Sequence, residues 1–135
     1  MQEAACIEEF ELVLEDLKVE LAKDSRPIIF DGYAPPASLI PLLPNTRYGF
    51  YLVCTEAFQL CYYEQRPWVK DVLAKTSEPD TAWSNWMERD SRSNRLLESQ
   101  LELHGIPWLS VDGALSIDET VERVNLHFQG GHMDA

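Results

Sequence analysis

The chain has 135 residues, 45% hydrophobic and 25% charged, with only 6 glycines. This is the composition of a globular protein, at a length that suits one domain with a real core. With 23 acidic against 11 basic residues, the net charge of −12 disfavours nucleic acid and anionic membrane as partners, because both reward Lys and Arg.

No apolar run approaches the ~18 residues that a membrane span requires. The start, Met1-Gln2-Glu3, lacks the basic-then-apolar order of a signal peptide. Cys6, Cys54 and Cys61 are odd in number, sit among apolar neighbours and fit no zinc spacing. They read as reduced thiols of a cytoplasmic protein. His104 stands alone, and His127 and His132, five positions apart, have no Cys close by, so no metal site is expected from them.

Ile7, Phe10, Leu14, Leu17 and Leu21 recur at three- and four-residue steps, which predicts a first helix with one apolar stripe. Its other face, Glu8, Glu9, Glu11, Glu15, Asp16 and Glu20, reads as solvated. Ile28-Ile29-Phe30, closed by Asp31-Gly32, reads as a short buried strand. Pro35 and Pro36 suit the first turn of a helix running to Leu43. Tyr48 to Cys54 is nearly all apolar, the pattern of a parallel strand covered on both faces.

Thr55 is placed to cap a helix from Glu56 to about Gln65, and Pro67 to open another through Lys75. Glu78-Pro79 begins a long helix through Trp83, Trp86, Leu96, Leu97 and Leu101 to His104, stopped by Gly105 and Pro107. Trp108 to Val111 is the third expected strand. Ser116 caps a last helix through Val121, Val124 and Phe128, with Asp118 and Glu119 in its first turn. The end, Gln129 to Ala135, reads as a disordered tail. Alternating strands and helices imply an α/β fold with a parallel sheet.

Three groups of residues can carry chemistry. Asp31, at the carboxyl end of an expected strand, stands where open α/β sheets bind ligands. A carboxylate there can hold a magnesium-bound water or take a substrate proton, or merely cap the turn. Arg66, Arg89, Arg92 and Arg95 are four of the chain's seven arginines and lie within 30 positions. The last three fall on one side of a helix. Guanidinium forks match phosphate oxygens, although a surface pair from Glu88 to Arg92 is also open to them. Asp112-Gly113, ahead of Ala114, Leu115 and Ser116, forms a strand-end loop that can border a purine or serve only as a turn. Trp68, Trp83, Trp86 and Trp108 read as packing residues.

From about Phe10 to Phe128 the chain resembles a group of bacterial P-loop kinase-like ATP-binding proteins, related to nucleotide and shikimate kinases. The resemblance rests on Phe10 to Leu17, Pro27 to Gly32, Leu39 to Leu43 and Tyr51 to Thr55. It continues through Arg66-Pro67-Trp68-Val69, Trp86 to Asp90 and Val111-Asp112-Gly113. It implies a three-layer parallel sheet of P-loop kinase type, incomplete, with about three strands and lid-like helices over 64–104, all within residues 1–128. By the same resemblance Asp31 would act on magnesium or substrate. Arg66, Arg89 and Arg92 would meet ATP phosphates, and Asp112-Gly113 would border adenine.

The implied partners are ATP or another nucleotide, Mg2+ and a small-molecule acceptor. No Gly-x-x-x-x-Gly-Lys-Ser/Thr occurs in the 135 residues. The phosphate-cradling amides, the Lys and the magnesium-holding hydroxyl are therefore not supplied by them. The family's P-loop strand is expected to lie upstream of Met1, and a sheet lacking it invites pairing with a second copy. Two functions follow: phosphoryl transfer as ancestry, with this chain inactive, or a non-catalytic α/β protein-interaction module.

Overall fold

The computed structural model describes residues 2–23, 28–32, 34–40, 43 and 45–130. Its backbone divides into two compact units, Met1–Pro44 and Asn45–Ala135, and each is described by itself.

The first unit is led by α1 (Gln2–Lys23). Phe10 is buried, Val13, Leu14 and Leu17 are half-buried, and the acidic residues from Glu8 to Glu20 are exposed, as the periodicity requires. Lys18 and Lys23 pair with Glu15 and Glu20 one turn back.

The Ile28–Phe30 segment is not a strand. Residues 28–32 have no regular secondary structure and Ile29 is 94% exposed. A β-forming run becomes a strand only where a neighbour completes its ladder, and the described residues provide none for it. Phe30 instead sets its ring 6.2 Å from that of Phe10. The helix after Pro35 is a single turn, α2 (Pro36–Leu39), so Leu43 lies outside it.

The second unit begins with a 3-10 turn, Thr46–Tyr48, capped by the Asn45 side chain, which accepts from Arg47 N at 3.0 Å. The following strand, β1 (Tyr51–Cys54), is shorter than the apolar run implied. Thr55 caps α3 (Glu56–Glu64) by accepting from Phe58 N at 3.3 Å. Pro67 opens α4 (Pro67–Leu73) and Pro79 opens α5 (Pro79–His104). Gly105, with φ +63°, ends α5 in the left-handed conformation, where its amide closes on Glu102 O and Leu101 O.

β2 (Trp108–Val111) then pairs with β1 in parallel: Tyr51 with Trp108, Leu52 with Leu109, Val53 with Ser110 and Cys54 with Val111. The last helix, α6 (Ile117–Gly130), runs two residues past Phe128. The remainder of the expected tail lies outside the described residues. Thus β1, a helical crossover and β2 form a βαβ unit, and the fold is mixed α/β, mostly helical, with a two-stranded parallel sheet among the described residues.

The core of this unit gathers Val53 from β1, Val69 from α4, Met87 and Leu101 from α5, and Ile106. Among the described residues the sheet is not covered on both faces: Leu52 is 50% exposed. Nor is the apolar stripe of α6 buried, since Ile117 is 82% exposed and Val121 and Phe128 are also exposed. What ties α6 down is its last turn. His127 Nε2–H donates to Arg47 O at 2.6 Å, and its ring packs 4.8 Å from Phe50.

Candidate functional site

The middle of α5 turns polar residues toward its neighbours. Between buried Met87 and buried Leu101, the inward positions are Asp90, Ser91 and Asn94. Inward polar groups must find partners or cost the fold, and α3 and β1 supply them. Asn94 Nδ2 donates to Cys54 O at 3.0 Å and to Gln59 Oε1 at 3.2 Å. Gln59, only 6% exposed, passes the connection on by donating to Asp90 Oδ2 at 3.2 Å. Ser91 donates to Glu56 Oε2 at 2.9 Å and accepts from Arg95 Nη1 at 2.7 Å. The Asn94–Gln59–Asp90 connection therefore runs from the carboxyl end of β1 to the arginine-bearing side of α5, and Ser91, Glu56 and Arg95 form a separate cluster beside it.

Asp90 is its junction. Oδ2 accepts from the Trp86 indole at 2.9 Å as well as from Gln59. Oδ1 accepts from Arg89 Nε at 2.8 Å and lies 2.6 Å from its Nη2 in an ion pair. Trp86 in turn packs edge-on against Tyr63, with centroids 5.5 Å apart, and close to Trp68 and Trp83. The Arg66 guanidinium lies over Tyr63, 4.8 Å from the ring centre. Arg66 and Arg89, 23 positions apart in the sequence, are thus joined by unbroken contact through Tyr63, Trp86 and Asp90.

The other sequence candidates fall as follows. Arg66 occupies the N-cap position of α4 and is exposed. Arg92 is exposed, and the Glu88–Arg92 pair open to it by spacing is not among the ion pairs of the described residues. Arg95 faces Glu56 and Ser91, with Nη1 3.5 Å from Glu56 Oε2. Asp31 is exposed in the first unit and does not end a strand. Among the described residues no group of three or more His, Cys, Asp or Glu is arranged to hold a metal ion.

Asp112 accepts from Ala114 N at 2.8 Å, an Asx turn that shapes the loop after β2. Gly113, at φ +86°, lets that loop pass against the Phe58 ring. Behind the loop, a cavity of about 10 Å³ is lined by Leu109, Val111, Gly113, Leu115 and Thr120. It has room for about one water. Asp112-Gly113 and Cys54-Thr55 both sit at strand carboxyl ends, the region where parallel sheets present ligand sites.

Burial raises the Cys54 thiol pKa above its ordinary value, and the nearby positive charge of Arg66 partly offsets this. The sequence reading missed Gln59, Ser91 and Asn94. A signal was present, because polar residues fall at helical spacing between Met87 and Leu101, where an apolar stripe would continue.

The fold and this network define the class: a mixed α/β protein with a βαβ unit and a polar, arginine-bearing surface on its crossover. No protein-family model matches the chain, and no curated protein and no solved structure matches it significantly.

Proposed function

We propose that the chain is a P-loop kinase-like nucleotide-binding protein in which Arg66 and Arg89 meet phosphate oxygens of ATP or a related nucleotide. The ancestral reaction is phosphoryl transfer from ATP to a small molecule. The 135 residues bring no Walker A motif to it, so they are not expected to catalyse it alone. The observation that carries the reading is the contact chain Arg66–Tyr63–Trp86–Asp90–Arg89, which links the two arginines that the resemblance singles out.

Phosphate recognition needs such forks, held in place before the ligand arrives. Asp112-Gly113 borders the base in this reading. Calorimetry with Mg-ATP tests it. Binding with Kd on the order of 10–100 μM, lost in Arg89→Ala, is the expected outcome. Absence of heat with folded protein discards it.

A second reading, a non-catalytic α/β interaction module, is favoured by exposed Leu52 on β1 and by the uncovered α6 stripe of Ile117, Val121 and Phe128. A stable dimer with no nucleotide affinity, measured by light scattering, would select it.

A further inference from the structure

Arg89 is 53% exposed, yet it is not a free surface arginine, because its Nε and Nη2 both converge on one oxygen of Asp90. Asp90 is itself anchored. Its side chain is only 18% exposed, and its other oxygen accepts from Trp86 on α5 and Gln59 on α3. An anchored carboxylate that takes the side-on edge of this half-exposed guanidinium leaves the end-on edge, formed by Nη1 and the remaining Nη2 proton, without a partner among the described residues. That edge is the one that grips two oxygens of a phosphate end-on.

Neighbouring residues on a helix do not ordinarily face each other. The Arg89–Asp90 contact therefore holds the long arginine side chain in one of its many rotamers, at an entropic cost already met before any ligand binds.

We infer that Asp90 is a positioning residue: it presents the end-on edge of Arg89 to the phosphate of a nucleoside polyphosphate. This rests on the nucleotide-binding reading above. Asp90 touches no ligand itself and acts only through Arg89. Gln59 and Trp86 act one step further back, by keeping the Asp90 carboxylate from rotating.

Two measurements on the full chain test it, the first without ligand. In heteronuclear NMR in phosphate-free buffer, Arg89 Nε–H is expected to give a resonance protected from solvent exchange. Asp90→Asn should abolish it and shift the Trp86 indole N–H. The second is calorimetry with ATP and with inorganic tripolyphosphate. Asp90→Asn and Arg89→Lys should each weaken binding about tenfold, the factor that corresponds to ~1.4 kcal/mol. Asp90→Asn added to Arg89→Ala should cost nothing more, because the two residues act as a unit.

Additive losses would overturn the inference, as would tighter binding by Asp90→Asn, which would make Asp90 a competitor for Arg89. Should Asp90→Asn fail to fold, Arg89→Lys at its exposed site keeps the charge without the fork, and full affinity in that variant also overturns it. A wild-type Arg89 resonance that exchanges freely refutes the positioning whatever the ligand does. A protected resonance in a wild type that binds neither polyphosphate supports the positioning and refutes the nucleotide reading.

Discussion

Asn94 of α5 and Cys54 of β1 are joined by a hydrogen bond from the Asn94 side-chain amide to the Cys54 main-chain carbonyl, 3.0 Å long. Tyr51 and Thr55 donate their amides to Pro107 O and Val111 O, toward β2. Residues alternate along a strand, so the Cys54 carbonyl faces the other edge, where no β2 group can reach it. Asn94 satisfies it and binds the crossover helix to the sheet at the same time. Asn94→Ala leaves that carbonyl and Gln59 Oε1 without their donor, and should cost about 1–3 kcal/mol of unfolding free energy in urea. Asn94→Asp should cost more, because it sets an acceptor against two acceptors. Equal stability of the Asp variant and the wild type would show that the bond contributes nothing.

Gly105 and Gly113, the two glycines with positive φ among the described residues, should respond differently to alanine. Gly105 (φ +63°) has no atom within 4 Å of an added Cβ, whereas at Gly113 (φ +86°) the Cβ would lie 3.2 Å from the Phe58 ring. Both changes incur the left-handed strain of an L-residue, about 1–2 kcal/mol. Only Gly113→Ala adds a steric contact to it. Thermal melts should therefore rank Gly113→Ala below Gly105→Ala, and Phe58→Leu should recover part of the difference by removing the ring.

The start of α6 carries a pH-dependent cap. Ser116 N and Ser116 Oγ donate to Glu119 Oε2 at 2.8 and 2.7 Å, while Glu119 N donates back to Ser116 Oγ at 3.2 Å, a capping box. The Ser116 amide first, then its hydroxyl and the charge of Arg123, lower the Glu119 pKa from its ordinary 4.5. A depressed folded-state pKa means that the stabilisation is present above the unfolded value and is lost as pH falls through the folded one. Stability of the wild type and of Glu119→Gln, followed by urea titration from neutral pH downward, should therefore converge below pH 4.5.

Cys54 and Cys61 should separate by reactivity. Cys61 is exposed and Cys54 half-buried, with burial raising the Cys54 pKa above its ordinary 9.0. The thiolate is the reactive form, so alkylation at mildly alkaline pH should label Cys61 first. Arg66→Ala removes the charge that partly offsets burial and should slow Cys54 further. The neutral thiol is favoured by the fold, so its stabilising contribution is complete below the unfolded pKa and declines as pH rises past it. Equal labelling rates for the two thiols would contradict this arrangement.

Much of the second unit was legible in the sequence because its signals are local. Thr55, Ser116 with Glu119, Pro67, Pro79 and Gly105 each start or stop a helix by chemistry confined to a few residues. The apolar runs at Tyr51 and Trp108 were legible as β-forming, and with helices between them they pair in parallel. Arg66, Arg89, Arg92, Asp112 and Gly113 could be picked out by type and spacing. What each side chain touches could not.

The sequence by itself determined the helices of the second unit, most of their caps, the β-forming character of the runs at Tyr51 and Trp108 and the concentration of arginines on the crossover. Only the tertiary structure decided that Ile28–Phe30 forms no strand, since a ladder needs a partner that no local pattern can supply. It decided too that Asp90, Ser91 and Asn94 face inward among Glu56, Gln59 and the end of β1, and that Arg89 is held by its own neighbour. The inward placement of Asp90, Ser91 and Asn94 depends on groups that meet across 31 to 40 positions of chain. Buried polar groups must be satisfied wherever they meet.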